Sequence, residues 1–450
     1  MPPAALARVA VHGEIMPWHS LLVWGPGPVA TAPQYFRNRT GDDDMQSDDM
    51  QSDDTQARIA RCLPELVAMR RDIHAHPELG MEETRTATLV AECLRGLGLE
   101  TTEGVGRFGV VGTLKGRRPG QGAIGLRADM DALALTERTG LPYASTVPGR
   151  MHACGHDGHT AMLLGAAKFL AEDPDFAGTV HFIFQPAEEG RGGAQAMLED
   201  RLFERFPCDA VYGMHNMPGM PLGNFALRKG PLMAGSGRWI VTFRGTGGHG
   251  GNSPHLANDL TLVQAIFVQA LQGIVSRNVP ALESVVVSVG HIAGGTSEAL
   301  NVMPAELVVG GTMRAFNPPM QALVERRIRE LAELAAATQG ATAEVSMWWN
   351  AIPLLNHERE TDVMAAAARK VAGETGVDAG TPPVTGGEDF AFMLKAKAGA
   401  FVFLGTGTAP DGTAHALHSP LYDFNDAALP HGVQFWIELV RQELAASAGA

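Results

Sequence analysis

Apolar residues recur at three- and four-residue spacing in two early stretches of the chain, and both predict amphipathic helices. Ile59, Leu63, Leu66, Val67 and Ile73 share one face over residues 59–74, and the second stretch runs over 84–97 and stops at Gly98. Short continuous apolar runs at 110–114 and 123–128 predict buried strands. A helix over 159–170 and strands over 179–184 and 210–214 follow. Strands alternating with helices predict a layered α/β domain.

The pattern changes between residues 238 and 347. Strands are expected at 239–243, 284–291, 306–313 and 342–347, with helices at 259–274 and 321–337. The order βαββαβ is that of a ferredoxin-like unit. Beyond it come a helix over 361–375 and an apolar strand over 400–404, then loops rich in glycine and histidine. The division this predicts is a main α/β domain in two parts, 56–235 and 349–450, with a smaller domain inserted over 236–348.

Residues 1–55 read differently. Seven aspartates fall within residues 42–54, and 45–54 is a tandem MQSDD repeat. Such a segment cannot bury a core, so a disordered tail is expected, with Met45 or Met50 as an alternative start. The aspartates lack the Gly and Glu spacing of a calcium loop. The whole chain, 450 residues with 35 basic and 49 acidic side chains, carries a formal charge of −14. That balance argues against nucleic acid or an anionic membrane as partner. Cys62, Cys93, Cys154 and Cys208 are too sparse for a disulfide framework and fit a reducing cytoplasm. No run reaches the ~20 apolar residues of a membrane span. The weakly apolar stretch 20–29 holds Gly25, Pro26, Gly27 and Pro28 and lacks a basic segment before it, so no secretory signal is expected.

Four motifs carry candidate chemistry. Residues 151–159 read MHACGHDGH, with three histidines, one cysteine and one aspartate. Gly155 and Gly158 allow sharp turns, and Cys154 and His156 can converge on one ion. Thiolate with imidazole suits zinc and other borderline metals. A polar loop capped by Asp157 is the plainer reading of the same segment. Residues 184–190, FQPAEEG, put Glu188 and Glu189 at the carboxyl end of a strand, where open α/β sheets place their sites. Adjacent residues point apart, so one carboxylate can bind metal while the other handles protons. His215 follows the strand 210–214, and His418 lies in AHALHSP, residues 414–420. Each alone is ordinary; together they offer ligands for two metals with open positions. A hydrolase with Cys154 as nucleophile, or a non-catalytic metal-binding module, draws on the same residues. The glycines of 245–251 lack the Lys-Ser/Thr of a phosphate loop.

These motifs, with RRDIHAHPELG (70–80), LRADMDAL (126–133), GEDF (387–390) and LHSP (417–420), span residues 70–426. They resemble those of the hippurate hydrolase and auxin-conjugate hydrolase family of amidohydrolases, a branch of the dinuclear metallopeptidases that includes carboxypeptidase G. The resemblance implies a dinuclear-metal peptidase-like α/β catalytic domain with an inserted ferredoxin-like lid and dimerisation domain. It implies two divalent ions (zinc, manganese, nickel or cobalt) held by Cys154, His156, Glu189, His215 and His418, with Glu188 as general base. Many relatives carry His-x-Asp where this chain has Arg127-Ala-Asp129, and Asp129 is expected to orient a ligand. In the inserted domain, His249, Asn301 and Arg314 are expected to contact substrate, Arg314 at its carboxylate and His249 at the developing oxyanion. The same domain is expected to build a homodimer or homotetramer in which the histidine reaches a partner's site. The implied reaction splits a small N-acyl amino acid into a carboxylic acid and an amino acid, with the acyl group open.

Overall fold

A computed structural model describes residues 35–36, 51–408 and 412–445. The first apolar stripe becomes α1 (Gln51–Ala75), burying Ile59, Leu66, Met69 and Ile73, and the second becomes α2 (Thr84–Gly96). The antiparallel pair β1 (Glu100–Val105) and β2 (Gly109–Lys115) precedes β3 (Arg118–Asp129). Next come α3 (His156–Glu172), β4 (Ala177–Gln185), the short α4 (Gly193–Glu199) and α5 (Leu202–Arg205), β5 (Ala210–Pro218) and the two-residue β6 (Phe225–Ala226). The chain leaves through β7 (Gly230–Met233) into β8 (Gly235–Arg244), β9 (Gly248–His249), α6 (Leu260–Gly273), β10 (Val285–Gly294), β11 (Val302–Met303), β12 (Glu306–Ala315), α7 (Pro318–Ala337) and β13 (Thr342–Ala351). It returns through β14 (Leu354–Asn356) to α8 (Glu358–Ala372), β15 (Val377–Asp378), α9 (Phe390–Ala396), β16 (Gly399–Gly407) and α10 (Leu429–Glu443).

Among the described residues the main sheet runs β1-β2-β4-β3-β5-β16-β6-β15. β4, β3, β5 and β16 are parallel, so Asp129, Gln185 and His215 emerge at neighbouring carboxyl ends. Helices α1, α2, α3, α8 and α10 build one core on this sheet, and α4, α5 and α9 build another on its opposite face. Burial on both faces is why these strands read as continuous apolar runs rather than alternating ones.

β8, β10, β12 and β13 form a separate antiparallel sheet in the order β10-β12-β8-β13. Trp239, Val241 and Phe243 alternate inward along β8 and meet Phe267 of α6. This unit therefore owns a hydrophobic core of its own. It joins the main domain through β7 and β14, which pair antiparallel as a two-stranded ribbon. The α/β class and the inserted βαββαβ unit are both as the sequence pattern predicts.

Three particulars differ. Residues 51–55 belong to α1, and Phe36 is buried against it with its N–H donating to Glu65 Oε1 at 2.9 Å. Helix and core thus begin before the expected tail boundary at 55. Two aromatic rings supply apolar area that the aspartates lack. The rest of the expected tail, 1–34 and 37–50, lies outside the described residues. Helix α10 lies beyond the last element the sequence pattern predicts, and it holds Pro430 and Gly432. Pro430 sits in the first turn, where a missing N–H costs nothing, and a Cβ on Gly432 would lie 2.0 Å from Met162 Sδ. Finally, the stretch Leu260–Asn278 is long and apolar enough to cross a membrane by length and composition alone. Its Val263, Phe267, Leu271 and Ile274 close the inserted core instead.

Phe267 packs edge-on against Trp239 and Phe243 with ring centroids 5.9 and 5.4 Å away. Phe267→Ala is expected to cost about 3–5 kcal/mol of unfolding free energy. Urea titration checks this, and a loss below about 1 kcal/mol would show that the inserted core contributes little to stability.

Candidate metal centre

The loop after β3 delivers the first ligands. The helix α3 begins at His156 rather than at 159, so His156 and His159 stand one turn apart on the same face. Gly155, just before it, has φ +94°, and a Cβ there would fall 2.3 Å from Asn216 Oδ1 and 2.7 Å from the Tyr422 hydroxyl. Glycine alone lets the chain turn between Cys154 and the helix.

His156 donates from Nδ1 to the Asp131 carbonyl at 2.9 Å and to its carboxylate at 3.1 Å. That fixes the tautomer and leaves Nε2 as a bare lone pair, buried and without a hydrogen-bond partner. His215 donates from Nδ1 to the Asn216 carbonyl at 2.7 Å, so its Nε2 carries the lone pair and accepts from Cys154 Sγ at 3.4 Å.

The acidic turn after β4 is held by two other carboxylates. Ala187 sits at φ +55°, and its N–H donates to the buried Glu83 at 2.7 Å. The Glu189 N–H donates to Asp131 Oδ2 at 2.9 Å. So clamped, the turn carries Glu188 and Glu189 into the same space as Cys154 and His156. His418, also in the left-handed region at φ +66°, is anchored by its N–H on the Ala153 carbonyl at 2.8 Å, and its Nε2 lies 3.1 Å from Glu189 Oε1.

Ligand atoms of Cys154, His156 and His215 lie within 4.8 Å of one another, as do those of Cys154, Glu189 and His418, and those of His156, Glu188 and Glu189. These triads share members, which is the pattern of two adjacent ion positions rather than one. The donor set fits divalent ions. His156 Nε2 is a buried polar atom with no hydrogen-bond partner. Burial, and then Glu189, Glu188 and Asp129, push the Cys154 thiol well above its usual range, which makes it a poor free nucleophile. A cation beside these groups would reverse that penalty.

Beneath this set, Asp129 accepts from His159 Nδ1 at 2.6 Å and pairs with Arg127 at 2.7 Å. The structure thus gives Asp129 to His159 and Arg127, and gives the holding of His156 to Asp131. Asp131 was missed although it stands in the same RADMD segment. Arg127 also pairs with Glu388 at 2.9 Å and Asp389 at 3.4 Å. Farther out, His74 bonds Asp157 at 2.8 Å. Burial works against the His74 imidazolium, but Asp157 and Glu137 outweigh it and raise its pKa to about 9.

The ligand set opens into a cavity of about 600 Å³ lined also by Met217, Phe403 and Leu417, and by Ser236, Arg238, Arg314 and Asn350 of the inserted unit. Of the three residues expected to contact substrate, Arg314 lines it. His249 and Asn301 do not; they lie side by side on the β9–β11 pair, exposed, with Asn301 Nδ2 3.4 Å from His249 Nε2.

Comparison with known proteins places this geometry. The model of peptidase family M20/M25/M40 matches residues 125–442. Hippurate hydrolase of Campylobacter jejuni is 39% identical over 84% of this chain and 97% of its own length. N-acetyl-L-cysteine deacetylase of Bacillus subtilis is 39% identical over 84% of this chain and 88% of its own. The crystal structure of a dinuclear metal-binding peptidase from Bacillus subtilis superposes with a TM-score of 0.74 at 32% identity, covering 86% of this chain and 99% of that one.

Two outcomes follow from the outer contacts. Asp131→Ala is expected to weaken divalent-metal binding by about 10–100-fold, because His156 keeps only the backbone carbonyl and both it and the Glu189 N–H lose the carboxylate; competition against a chelator measures this, and unchanged affinity would refute it. An unfolded histidine titrates near about 6.5. The raised His74 pKa therefore contributes stability fully below that pH, and the contribution fades as pH rises through about 9. The urea midpoint should fall across that window in the wild type, and His74→Gln should flatten the fall. Parallel curves for the two proteins would rule out the pair as its cause.

Proposed function

The chain belongs to peptidase family M20/M25/M40, and from that premise we propose that it hydrolyses the amide bond of small N-acyl amino acids with two divalent ions and Glu188 as general base. The observation that carries this reading is the convergence at one cavity of Cys154, Glu189, His215 and His418, with His156 grouped beside them, together with the Glu188 carboxylate and an arginine suited to a substrate carboxylate. Cys154, His156, Glu189, His215 and His418 would hold the ions. Bound there, such ions acidify water and polarise an amide carbonyl.

The chain's own residues do the rest. Glu188 takes a proton from the attacking water and passes it to the leaving amine nitrogen, so the products are a carboxylic acid and an amino acid. Burial, then the charges of Glu388, Glu189 and Asp389, raise the Glu188 carboxyl well above the ordinary range, the direction a proton carrier needs. Arg314 holds the amino acid carboxylate through its planar guanidinium. His249 and Asn301 act from a partner subunit. Support for a homodimer or homotetramer comes from their position outside the cavity and from exposed Leu262, Val275, Ile292 and Val302 on the inserted unit. Unpaired cysteines support a cytoplasmic setting.

Glu188→Gln should lower kcat on hippurate or an N-acetyl amino acid by about 10²–10⁴-fold while the metal content, measured by atomic emission, stays at the wild-type level. Chelation should abolish wild-type turnover and zinc or manganese restore it. Unchanged turnover in the variant would remove Glu188 from the mechanism. Activity that survives chelation but ends on alkylation would favour Cys154 as nucleophile.

A further inference from the structure

Two arginines of the inserted sheet line the cavity, and neither is ion-paired among the described residues. Arg314 on β12 pairs in register with Ser236 on β8, and Arg238 lies two residues further along β8 on the same face. Such diagonal neighbours stand about 7–8 Å apart, within reach of long side chains. Both line the cavity with Glu188 and His418. Arg314 donates from Nε to the Thr385 carbonyl at 3.1 Å and from one terminal nitrogen to the Met313 carbonyl at 2.9 Å. Those bonds fix its plane and leave the other terminal nitrogen for a ligand.

The contrast along one strand is informative. Arg244, at the far end of β8, pairs with both Glu306 and Glu344. Among the described residues no carboxylate ion-pairs with Arg238 or Arg314. Burial and the charge of Arg238 lower the pKa of Arg314, which marks the two guanidiniums as like charges within reach of each other. One carboxylate balances only one of the two positive charges, whereas a dicarboxylate balances both. Because both project from a single sheet face, they address the same end of a bound substrate. The same cavity has an apolar lining of Met217, Phe403 and Leu417, which suits an uncharged acyl group.

We propose that Arg238 is a specificity-determining residue and that the substrate is an N-acyl amino acid with a second carboxylate on its side chain, an N-acyl glutamate or aspartate. This rests on the amide-hydrolase reading above. Arg314 takes the α-carboxylate and Arg238 the side-chain carboxylate.

The test measures kcat/KM of the metal-loaded full-length enzyme on N-acetyl-L-glutamate and N-acetyl-L-glutamine, which differ by one charge. The wild-type ratio should be about tenfold or more in favour of glutamate, shrink with added salt, and collapse in Arg238→Gln. Arg238→Lys should keep part of it. Calorimetric binding of both compounds to the Glu188→Gln protein gives a readout independent of turnover and should show the same preference. A wild-type ratio near one, or a ratio that Arg238→Gln leaves unmoved, overturns the proposal and leaves the hydrolase reading standing. Preferential binding with no turnover of either compound by the wild type overturns the hydrolase reading and keeps the anion site. A preference for N-succinylglycine over N-acetylglycine that Arg238→Gln erases would put the second charge on the acyl side and overturn the assignment to the amino acid.

Discussion

Arg127 sets one fully buried positive charge beneath a site otherwise rich in carboxylates, within 2.7 Å of Asp129, 2.9 Å of Glu388 and 3.4 Å of Asp389, while its Nε donates to Gln185 at 2.9 Å. Burying ions costs several kcal/mol each, and only close pairing and full hydrogen bonding offset it. The network meets that condition by joining distant parts of the chain. Asp389 accepts the Ala194 N–H at 3.0 Å, tying α4 to the loop before α9. Asp129 holds His159, whose Nε2 accepts the Asn216 N–H at 3.0 Å, and the Asn216 side chain reaches the Tyr422 hydroxyl at 2.6 Å. Those last two groups are what would collide with any side chain at Gly155. The position of the Cys154–His156 turn is thus set, bond by bond, from a guanidinium on β3.

That chain of contacts explains what the sequence did and did not disclose. Strand ends and glycine turns are local features, so Cys154, His156, Glu188, Glu189, His215 and His418 stand out as motifs, and the main sheet brings them together. Partners that orient those ligands are recognisable only by contact. Asp131 and Asp129 are two residues apart in one motif, yet the first holds His156 and Glu189 and the second His159 and Arg127. Glu83 lies 104 positions before the Ala187 N–H it accepts. His249 and Asn301 were legible as candidate contacts, but not as neighbours outside the cavity, because that depends on how the inserted unit is carried. Helix α10 went unpredicted; its Pro430 and Gly432 open a helix and admit a neighbour's sulfur, which local pattern alone does not disclose.

The two domains divide labour. The main domain supplies fixed donors from strand ends and the inserted unit supplies cations and amides from a sheet face, so the cavity is completed only where separately stabilised bodies meet. A site built this way can change its substrate through the inserted sheet without disturbing the ligand set.

The insertion also dictates an order of assembly. β16 lies between β5 and β6 in the main sheet, yet it follows the whole inserted unit in the chain. As the polypeptide is made, β5 must wait with an unpaired edge until more than a hundred further residues have appeared. The inserted unit, whose partners are all within itself, can fold during that interval. Once folded, it brings β7 and β14 together as a ribbon and turns a long loop into a short one, reducing the entropy cost of seating β16. The small unit therefore acts as a splint for the sheet that interrupts it.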